Sequence, residues 1–413
     1  LDKKGNRILG SEAGEGRTGG VTVAITWTLV PEWEFQEILE WKTDIIQSYS
    51  WEQRIALRQR PRRTLRYDFE ANNTDYISYA NLIGNNPATT FFIGDYAQMD
   101  WAMYEEGKWI KNPVRQWAGT KTMVLTNNQG LWDVGEFTAT KTGGVIWMMR
   151  SEVNSLWAGM RPQRVIMAPT VATRLSEPLR ITTYDNHRVT FSASFFLFEI
   201  PAFWTGSPSY DQLSGGTTTG YVLHHRHHYT GNSSSTWSRN VIILDNEIEP
   251  QYISPKTKWK TYKYNFSLRF KVGYELEQFF YFLDAIKGRC KFFYLPVWGA
   301  ALKPKSGIVA GQNSMTVEWF SNVNENLSGK WVAIEYQSRC TTQMLYAKVS
   351  GIGANGVNMQ MSFTEPLTDT VPVERIRSVV FINKVRLDSD TVTITYHADR
   401  SATVEMVCVN VNE

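Results

Sequence analysis

The stretch RYDF at residues 66–69 recurs as KYNF at residues 263–266, an offset of 197. After each copy come a segment with helical periodicity and then an aromatic segment, TTFFIGDY in the first case and CKFFYLPVW in the second. Further along, GLWDVGEF at 130–137 matches GKWVAIEY at 329–336. The chain therefore shows the same succession of segments twice.

Two further details support a duplication. The GLWDVGEF match places Trp132 over Trp331, and the closing segments 164–199 and 377–412 align at an offset of 212 to 213. Because the three matches occur in the same order along the chain, they predict a tandem repeat. The predicted organisation is a flexible N-terminal arm (1–24), a first copy (25–204) with an inserted β unit at about 112–161, a Gly/Ser/Thr-rich linker (205–220), and a second copy (221–413) with an inserted β unit at about 306–371.

Period-two alternation of apolar and polar residues dominates both copies, as in SVVFINKVRL (378–387) and TVTITYHA (391–398). Such alternation is typical of half-buried antiparallel strands. Helical periodicity is strong in YELEQFFYFLDAIKG (274–288), where Gly288 is expected to end the helix, and weaker in DYISYANLIGN (75–85). The sequence predicts a mainly β (α+β) fold of two β-sandwich units, each with one flanking helix.

The composition excludes several classes of protein. With 42% hydrophobic and 20% charged residues over 413 positions, the chain is globular and large enough for more than one domain. The formal net charge of +3 predicts no strong overall attraction to nucleic acid or anionic membrane. Cys290, Cys340 and Cys408 are widely spaced and odd in number, which favours reduced thiols in a protein assembled inside a cell. No apolar run approaches the ~20 residues of a membrane span, so we expect no membrane insertion.

Motifs of common enzyme classes are missing from the sequence. The chain contains no G-x-S-x-G elbow, no H-E-x-x-H and no G-x-x-x-x-G-K-[ST] loop. Hydrolase, zinc-peptidase and P-loop chemistry therefore lack the groups that their mechanisms require. We predict that the protein is not an enzyme and takes no cofactor.

Two longer stretches carry a resemblance to a known family. SYSWEQRIALRQRPRRTLRYDFEA (48–71) resembles the segment of bacteriophage and gene-transfer-agent distal tail proteins in which a Glu-Gln-Arg element precedes a strand, a helix and a further strand. The second copy, from VLHHRHHYTGN (222–232) to KGRCKFFYLPVWGAALKP (287–304), is similar to a tail-protein pattern in which a helix ending in Gly-Arg leads to an aromatic strand that closes on Leu-Pro-x-Trp. Distal tail proteins usually carry one such unit, whereas this chain has two.

The resemblance implies a tail-tube-like fold and a structural role at the distal end of a phage tail, in a virion assembled in the bacterial host cytoplasm. It implies a homo-oligomeric ring that continues the lumen of the tail tube and joins the tube to the baseplate or hub. Tail tube, hub and tape-measure proteins would be its neighbours, and genome DNA would pass through the lumen without specific binding.

The number of chains in such a ring stays open at this point. Six chains are favoured by analogy with the tail tube, while three are the alternative because two units per chain can build a six-unit ring. Other functions also stay open: a trimeric baseplate hub protein, or a β-sandwich module that binds a receptor or carbohydrate and uses the surplus of aromatic rings for stacking.

Basic residues precede the matched strand in both copies. They are Arg54, Arg58, Arg60, Arg62, Arg63 and Arg66 in the first copy and Lys256, Lys258 and Lys260 in the second. Because several of them fall at alternate positions, an extended segment would present one positive face. We predict that this face docks against acidic residues of an adjacent subunit or ring; contact with DNA phosphates and a solvated surface are the alternatives.

Four of the six histidines lie in HHRHH (224–228). In a strand, His225 and His227 would share one face and His224 and His228 the other. Either pair could hold a metal, with Asp245 or Glu247 as further ligands. At an offset of 197 the cluster lies opposite WTLVP (27–31) and opens the second copy. We predict a polar, partly exposed strand without a metal, with His225 and His227 as the alternative metal ligands.

Overall fold

The structure is a computed structural model of the chain. It describes residues 24–27, 29, 31–47, 52–72, 77, 90–105, 108–111, 119–127, 132–141, 145–149, 163–183, 188–198, 207–215, 218–226, 234–238, 241–244, 252–255, 261–318, 327–338, 341–355, 357–398 and 400–411. The N-terminal arm predicted over 1–24 lies outside these residues except for Ala24. Of the helix predicted over 75–85, only Ile77 is described, and it is helical.

The first half is built from strands. In chain order they are β1 (Ala24–Thr26), β2 (Gln36–Glu40), β3 (Thr43–Gln47), β4 (Glu52–Ala56), β5 (Arg62–Asn72), β6 (Thr90–Gly94), β7 (Asp100–Glu105), β8 (Lys108–Lys111), β9 (Gly119–Asn127), β10 (Trp132–Lys141), β11 (Val145–Met149), β12 (Gln163–Leu175), β13 (Arg180–Thr183) and β14 (Arg188–Leu197).

The second half adds a long helix to a similar set of strands. In chain order they are β15 (Gln212–Gly215), β16 (Thr218–Tyr221), β17 (Ser234–Ser238), β18 (Val241–Leu244), β19 (Tyr252–Pro255), β20 (Thr261–Lys271), α1 (Tyr274–Ile286), β21 (Phe293–Pro296), β22 (Ser314–Glu318), β23 (Trp331–Ser338), β24 (Thr341–Asn355), β25 (Asn358–Phe363), β26 (Ile376–Leu387), β27 (Thr391–Tyr396) and β28 (Ser401–Asn410). The predicted mainly β fold is confirmed.

One antiparallel sheet runs through both halves. Its strand order is β13–β14–β5–β2–β27–β28–β20–β17. The first four strands belong to the first half and the last four to the second half. The halves meet where β2 pairs with β27, so the sheet is continuous within a single chain.

The pairing pattern of the first half is repeated in the second. β14 pairs with β5, β13 and β12, and β28 pairs in the same way with β20, β27 and β26. β12 also pairs with β6, as β26 does with β21, and both β6 and β21 lead into a short 3-10 helix, Tyr96–Gln98 and Trp298–Ala300. The tandem duplication predicted from the sequence therefore has a counterpart in the strand topology. The match of RYDF with KYNF is two residues out of register: when the closing strands are aligned at an offset of 213, Arg66, which opposes Ser194, corresponds to Asn265, which opposes Val407.

The match between GLWDVGEF and GKWVAIEY is wrong. β23, which carries Trp331, pairs directly with the closing strand β26, whereas β10, which carries Trp132, pairs with β9 and β11. The topological counterpart of β23 is β9, because β9 is the strand that pairs with β12. The two segments look alike because alternation along a strand gives unrelated strands similar short patterns.

The two halves share one hydrophobic core on one face of the eight-stranded sheet. Phe69 and Phe195 of the first half and Leu268 and Val404 of the second belong to the same buried cluster. Helix α1 packs against this core and buries Leu276, Phe279, Phe280, Phe282, Leu283 and Ile286. A shared core means that the halves form one packed body and do not fold as independent domains.

The inserted unit predicted at about 306–371 forms a small β structure with a separate core. Its strands pair in the order β22–β25–β24–β23, and β23 joins the unit to β26. Val317, Ile334, Val349 and Met361 are among its buried residues. In the first half, the segment at about 112–161 contains β9, β10 and β11, which pair in that order.

The linker predicted over 205–220 is not an unstructured connection. β15 and β16 form an antiparallel hairpin, and Tyr210 and Leu213 are buried. Tyr210 belongs to the shared core, and Leu213 packs with Val222 and Tyr294. Composition alone suggested flexibility, but two large apolar side chains anchor this segment to the second half. A Gly/Ser/Thr-rich composition predicts a linker that lets the halves take different positions, and the packing of Tyr210 and Leu213 shows that this prediction is wrong.

Within the ranges given above, no helix is long and apolar enough to cross a membrane. Cys290 and Cys408 are free thiols, and Cys408 is buried. Cys340 lies outside the described residues.

Candidate functional site

The pairing of β2 with β27 shows how one repeat attaches to the next. The antiparallel register runs from Gln36 opposite Thr395 to Glu40 opposite Thr391. On the core side, the rings of Phe35 and Tyr396 stack with their centroids 4.7 Å apart. Strand pairing and buried apolar contact together hold this internal junction, which we define as the β2–β27 junction.

A buried charged cluster lies beneath the internal junction. Arg63 donates hydrogen bonds from Nη1 and Nη2 to Asp95, at 2.5 and 2.9 Å, and from Nε to Glu37. Tyr396 of the second half donates to Glu37 Oε2 at 2.5 Å, and Gln98 donates to Asp95 Oδ2 at 2.5 Å. Burial alone would lower the pKa of the Arg63 guanidinium, but the carboxylates of Asp95 and Glu37 outweigh burial and raise that pKa.

Two polar contacts cross between the halves beside the internal junction. Arg386 binds Glu52 in a bidentate pair, with Nε–Oε1 and Nη2–Oε2 distances of 2.8 and 3.0 Å. The carboxylate of Asp390 accepts hydrogen bonds from the backbone N–H and the hydroxyl group of Thr43, at 2.7 and 2.8 Å. Because bidentate and charge-assisted hydrogen bonds are directional, these contacts fix the register of one half on the other.

Gly288 lies where the end of α1 meets the internal junction. The helix ends with Lys287 and Gly288 in left-handed conformations, with φ angles of 55° and 64°. A Cβ atom on Gly288 would lie 2.9 Å from the Cβ of Trp41 and 2.7 Å from Oδ1 of Asp390. Gly288 therefore ends the helix, as predicted, and also allows a close approach between the halves.

Strands β13 and β17 are the two ends of the eight-stranded sheet. Among the described strands, β13 pairs only with β14, and β17 pairs only with β20. Ile181 in β13 is 44% exposed, and the described side chains of β17 are exposed. In the part of the chain that the structure describes, each end of the sheet therefore presents a row of backbone N–H and C=O groups that can pair with another strand.

The predicted docking role does not fit Arg63, because its side chain is 1% exposed and its charge is neutralised within the chain. In the first copy, the predicted single positive face is also wrong. Residues 57–61 form an irregular connection between β4 and β5, so Arg58 and Arg60 do not continue the strand on which Arg62 lies. Pro61 in this connection has no N–H to donate to a sheet ladder.

The other basic residues have separate environments. Arg58 donates to the backbone O of Glu40 at 2.7 Å, and Arg54 Nε lies 3.5 Å from Glu52 Oε1. Arg62 and Arg66 lie on the solvent face of β5, where they oppose residues 40 and 36 of β2. Lys256, Lys258 and Lys260 lie outside the described residues. The arginines of the first copy therefore lie in three segments, namely β4, the connection 57–61 and β5, and do not form one row.

The histidine stretch begins the second half as predicted, but its described part is not a regular strand. The N–H of Leu223 donates to the O of Tyr294 at 2.9 Å, as the N–H of Trp27 does to the O of Phe92 at 2.8 Å. Val222 forms an isolated parallel bridge with Tyr294. The segment therefore enters the fold at the same place in both halves. Leu223 corresponds to Trp27, an offset of 196, which differs by one residue from the offset of 197 between RYDF and KYNF.

The side chain of His225 packs among aromatic rings. It stacks on His224 with centroids 5.0 Å apart and contacts Phe270 and Tyr210, whose hydroxyl lies 3.3 Å from Nδ1 of His225. Burial, with a smaller contribution from His224, lowers the pKa of His225 to about 4. This environment favours a neutral imidazole. The other candidate ligands, His227, His228, Asp245 and Glu247, lie outside the described residues. Among the residues that the structure describes, no group of three His, Cys, Asp or Glu side chains could hold a metal ion.

A polar cavity lies next to His224. Arg226 and Glu335 form an ion pair across it, and Glu335 also accepts a hydrogen bond from Ser378 at 2.9 Å. The cavity is lined by Asp211, His224, Arg226, Glu335, Thr342, Met344 and Arg377. Arg226 and Glu335 therefore neutralise each other within the chain.

Comparison of the chain with protein-family models and with curated protein sequences gives no match. The strand edges and the internal junction therefore carry the functional argument. The alignment of the closing segments at an offset of 213 matches Ile181 with Ile394, but the sequence does not reveal the junction in which Ile394 lies. The signal was available in the repeat itself, because a duplicated sheet unit needs a contact between its copies.

Proposed function

We propose that this protein is a structural component of a phage tail tip that assembles into a ring around a lumen. The ring would continue the tail tube and join it to the baseplate or hub. The observation that carries the proposal is the single sheet made of two like four-stranded units, with an open strand at each end. Pairing with further chains would remove both open edges, which the described residues of a single chain leave unpaired.

The solvent face of the sheet supports a water-filled lumen. Its exposed or half-buried charged side chains carry both signs: β5 presents two cations followed by two anions, β20 presents three cations, and the neighbouring strand β28 presents one anion. They include Arg62, Arg66, Asp68, Glu70, Lys263, Arg269, Lys271 and Glu405. Adhesion to DNA requires rows of cations that neutralise phosphates, so a mixed surface favours passage of DNA without specific binding. The opposite face carries the shared core and α1, which would lie on the outer side of the ring.

The assignment to a tail tip rests on the resemblance of 48–71 and of the second copy to distal tail proteins. The virion location, the neighbouring tube, hub and tape-measure proteins, and a role without catalysis or cofactor belong to the same proposal. The spread of the arginines leaves Arg60, an exposed residue, as a candidate for docking on a neighbouring ring.

Electron microscopy tests this function directly. We expect negatively stained images of the purified protein to show rings with a central hole, and antibodies against the protein to label the distal end of intact tails. A protein that stays monomeric at every concentration and binds host polysaccharide would favour the receptor-binding alternative. Labelling of the capsid would contradict the location at the tail tip.

A further inference from the structure

We propose that the two open strands form the contact between neighbouring chains: β17 of one chain pairs antiparallel with β13 of the next. The arrangement is the one that β2 and β27 already adopt inside the chain. Three chains joined in this way close a ring of six repeats. This inference rests on the proposed function, because it names the partner and the surface of the proposed ring.

Each member of the internal junction has a counterpart at an open end of the sheet. β2 pairs with β5, and β17 occupies the same place on β20; both contain five residues. β27 pairs with β28, and β13 occupies the same place on β14. The order β13–β14–β5–β2 is thus repeated as β27–β28–β20–β17. The contact that joins repeat one to repeat two can therefore be formed again between repeat two and the next chain.

The register of the proposed contact follows from the internal one. Ile181 opposes Phe191 of β14 and Ile394 opposes Val404 of β28, and both pairs are separated by the offset of 213. In the internal junction Ile394 lies opposite Glu37. The strand pairings give the residue of β17 at the place of Glu37. Gln36 opposes Arg66, which opposes Ser194 of β14; at the offset of 213 Ser194 corresponds to Val407 of β28, which opposes Asn265, and Asn265 opposes Ser234. Ser234 therefore holds the place of Gln36, and Ser235 holds that of Glu37. Ser235 of one chain should therefore lie opposite Ile181 of the next.

Burial differs between the two equivalent isoleucines. Ile394 is 0% exposed because β2 and its neighbours cover it, whereas Ile181 is 44% exposed. A large aliphatic side chain at an open sheet edge is a site for association with another strand. The difference indicates that the cover present over Ile394 is supplied to Ile181 by a second chain.

Two charged residues repeat the same contrast. Arg386 binds Glu52 across the internal junction. Its counterpart in the first half, at an offset of 212, is Arg174, and the side chain of Arg174 is exposed. Asp390 accepts hydrogen bonds from the first half, and its counterpart at an offset of 213, Glu177, is also exposed. Side chains that cross the internal junction thus have equivalents beside the open β13 edge.

The width of the lumen favours three chains. The internal junction places both repeats side by side in one sheet, so a chain does not contribute one repeat to an inner layer and one to an outer layer. Strands in a barrel lie about 4.8 Å apart and are tilted by about 40° to the barrel axis. Measured from backbone to backbone, a barrel of sixteen strands from two chains then has a diameter of about 32 Å, and a barrel of twenty-four strands from three chains has a diameter of about 50 Å. After inward side chains are added, three chains are the smallest number that leaves ample room for a DNA double helix.

Disulfide cross-linking tests the proposed register. In the double variant Ile181→Cys with Ser235→Cys, oxidation should link neighbouring chains, because directly opposed residues of antiparallel strands have Cα distances compatible with a disulfide. Non-reducing electrophoresis should show dimers and then a covalent trimer, with no larger species. The matched control, Ile181→Cys with Thr236→Cys, moves one thiol by one residue to the other face of its strand and should stay at the level of the single-cysteine variants.

A charge substitution tests the same surface by an independent readout. Ile181→Arg places a charge in the proposed interface but on an exposed position of the monomer. We expect the concentration needed for half-maximal assembly, measured by sedimentation velocity, to rise at least roughly thirty-fold, while urea unfolding of the monomer stays unchanged. Val357→Arg, at a position that is 87% exposed and far from either edge in sequence, is the control and should assemble normally.

The outcomes separate this inference from the proposed function. Rings that form normally in Ile181→Arg, or rings whose chains are not linked by oxidation of the double variant Ile181→Cys with Ser235→Cys, would overturn the inference and leave the ring function standing. Rings of six chains would likewise overturn it. Protein that remains monomeric under all conditions would contradict the inference and the proposed function together.

Discussion

Replacing Arg63 with Met should strongly destabilise the folded chain, because the substitution leaves two buried carboxylates without a counter-ion. The side chains of Glu37 and Asp95 are 0% exposed, and Arg63 supplies one hydrogen bond to the first and two to the second. After the substitution, Glu37 keeps its bond from Tyr396 and Asp95 keeps its bond from Gln98. Removal of one partner from a buried ion pair costs about 3 to 5 kcal/mol.

The assay is urea unfolding followed by tryptophan fluorescence, since Trp27 and Trp41 are buried in the shared core. Arg62→Met is the matched control: it alters the neighbouring residue on the solvent face and should change the unfolding free energy by no more than about 0.5 kcal/mol. A loss for Arg63→Met within about 1 kcal/mol of the control would refute the reasoning. It would mean that the cluster is hydrated or that the three side chains are not in contact.

Three further predictions concern other parts of the molecule. Gly288→Ala should lower the unfolding free energy by about 1 to 3 kcal/mol, because φ is 64° and the new Cβ would lie 2.9 Å from the Cβ of Trp41. The control is Gly299→Ala, whose new Cβ meets nothing within 4 Å. Equal losses of stability in the two variants would contradict the steric argument. In the folded chain the pKa of His225 is lowered to about 4, whereas the unfolded chain has the ordinary histidine pKa of about 6.5. The unfolded chain therefore binds more protons between these two values. The free energy of unfolding should be highest above about pH 6.5 and fall as the pH drops towards 4. His225→Gln should remove about 2 to 3 kcal/mol of this pH dependence in urea titrations at pH 7.5 and 4.5, and an unchanged slope would refute the assignment. Arg174→Ala should weaken ring assembly in sedimentation experiments without changing monomer stability; a destabilised monomer would show that the residue acts within the chain.

Local patterns in the sequence identified the parts of the fold that depend on local physics. The period of α1 and its end at Gly288 follow from side-chain spacing and backbone freedom, and both are confirmed. The repeat of the closing strands was also visible, because alternation preserves the buried positions of β14 and β28 at a fixed offset. These features need only neighbouring residues or a comparison of the chain with itself.

The candidate interface could not be found in the same way, because its contacts join residues far apart in the sequence. Tyr396 and Glu37 are 359 positions apart, and nothing in QEILE (36–40) predicts that β2 pairs with β27. The alternating arginines fail as a signal for a related reason. Their spacing predicts an extended segment, whereas residues 57–61 are irregular and Arg63 is buried against partners 26 and 32 residues away. Burial decides the role of a charged residue, and spacing alone does not show burial.

A cryo-electron microscopy reconstruction of the assembled ring would show directly how neighbouring chains are joined. We expect three chains around the axis, with pseudo-sixfold symmetry and one uninterrupted barrel in which β17 of each chain pairs with β13 of the next. A ring whose chains leave both of these strands unpaired, or one that places the two halves of each chain in separate layers, would contradict this arrangement.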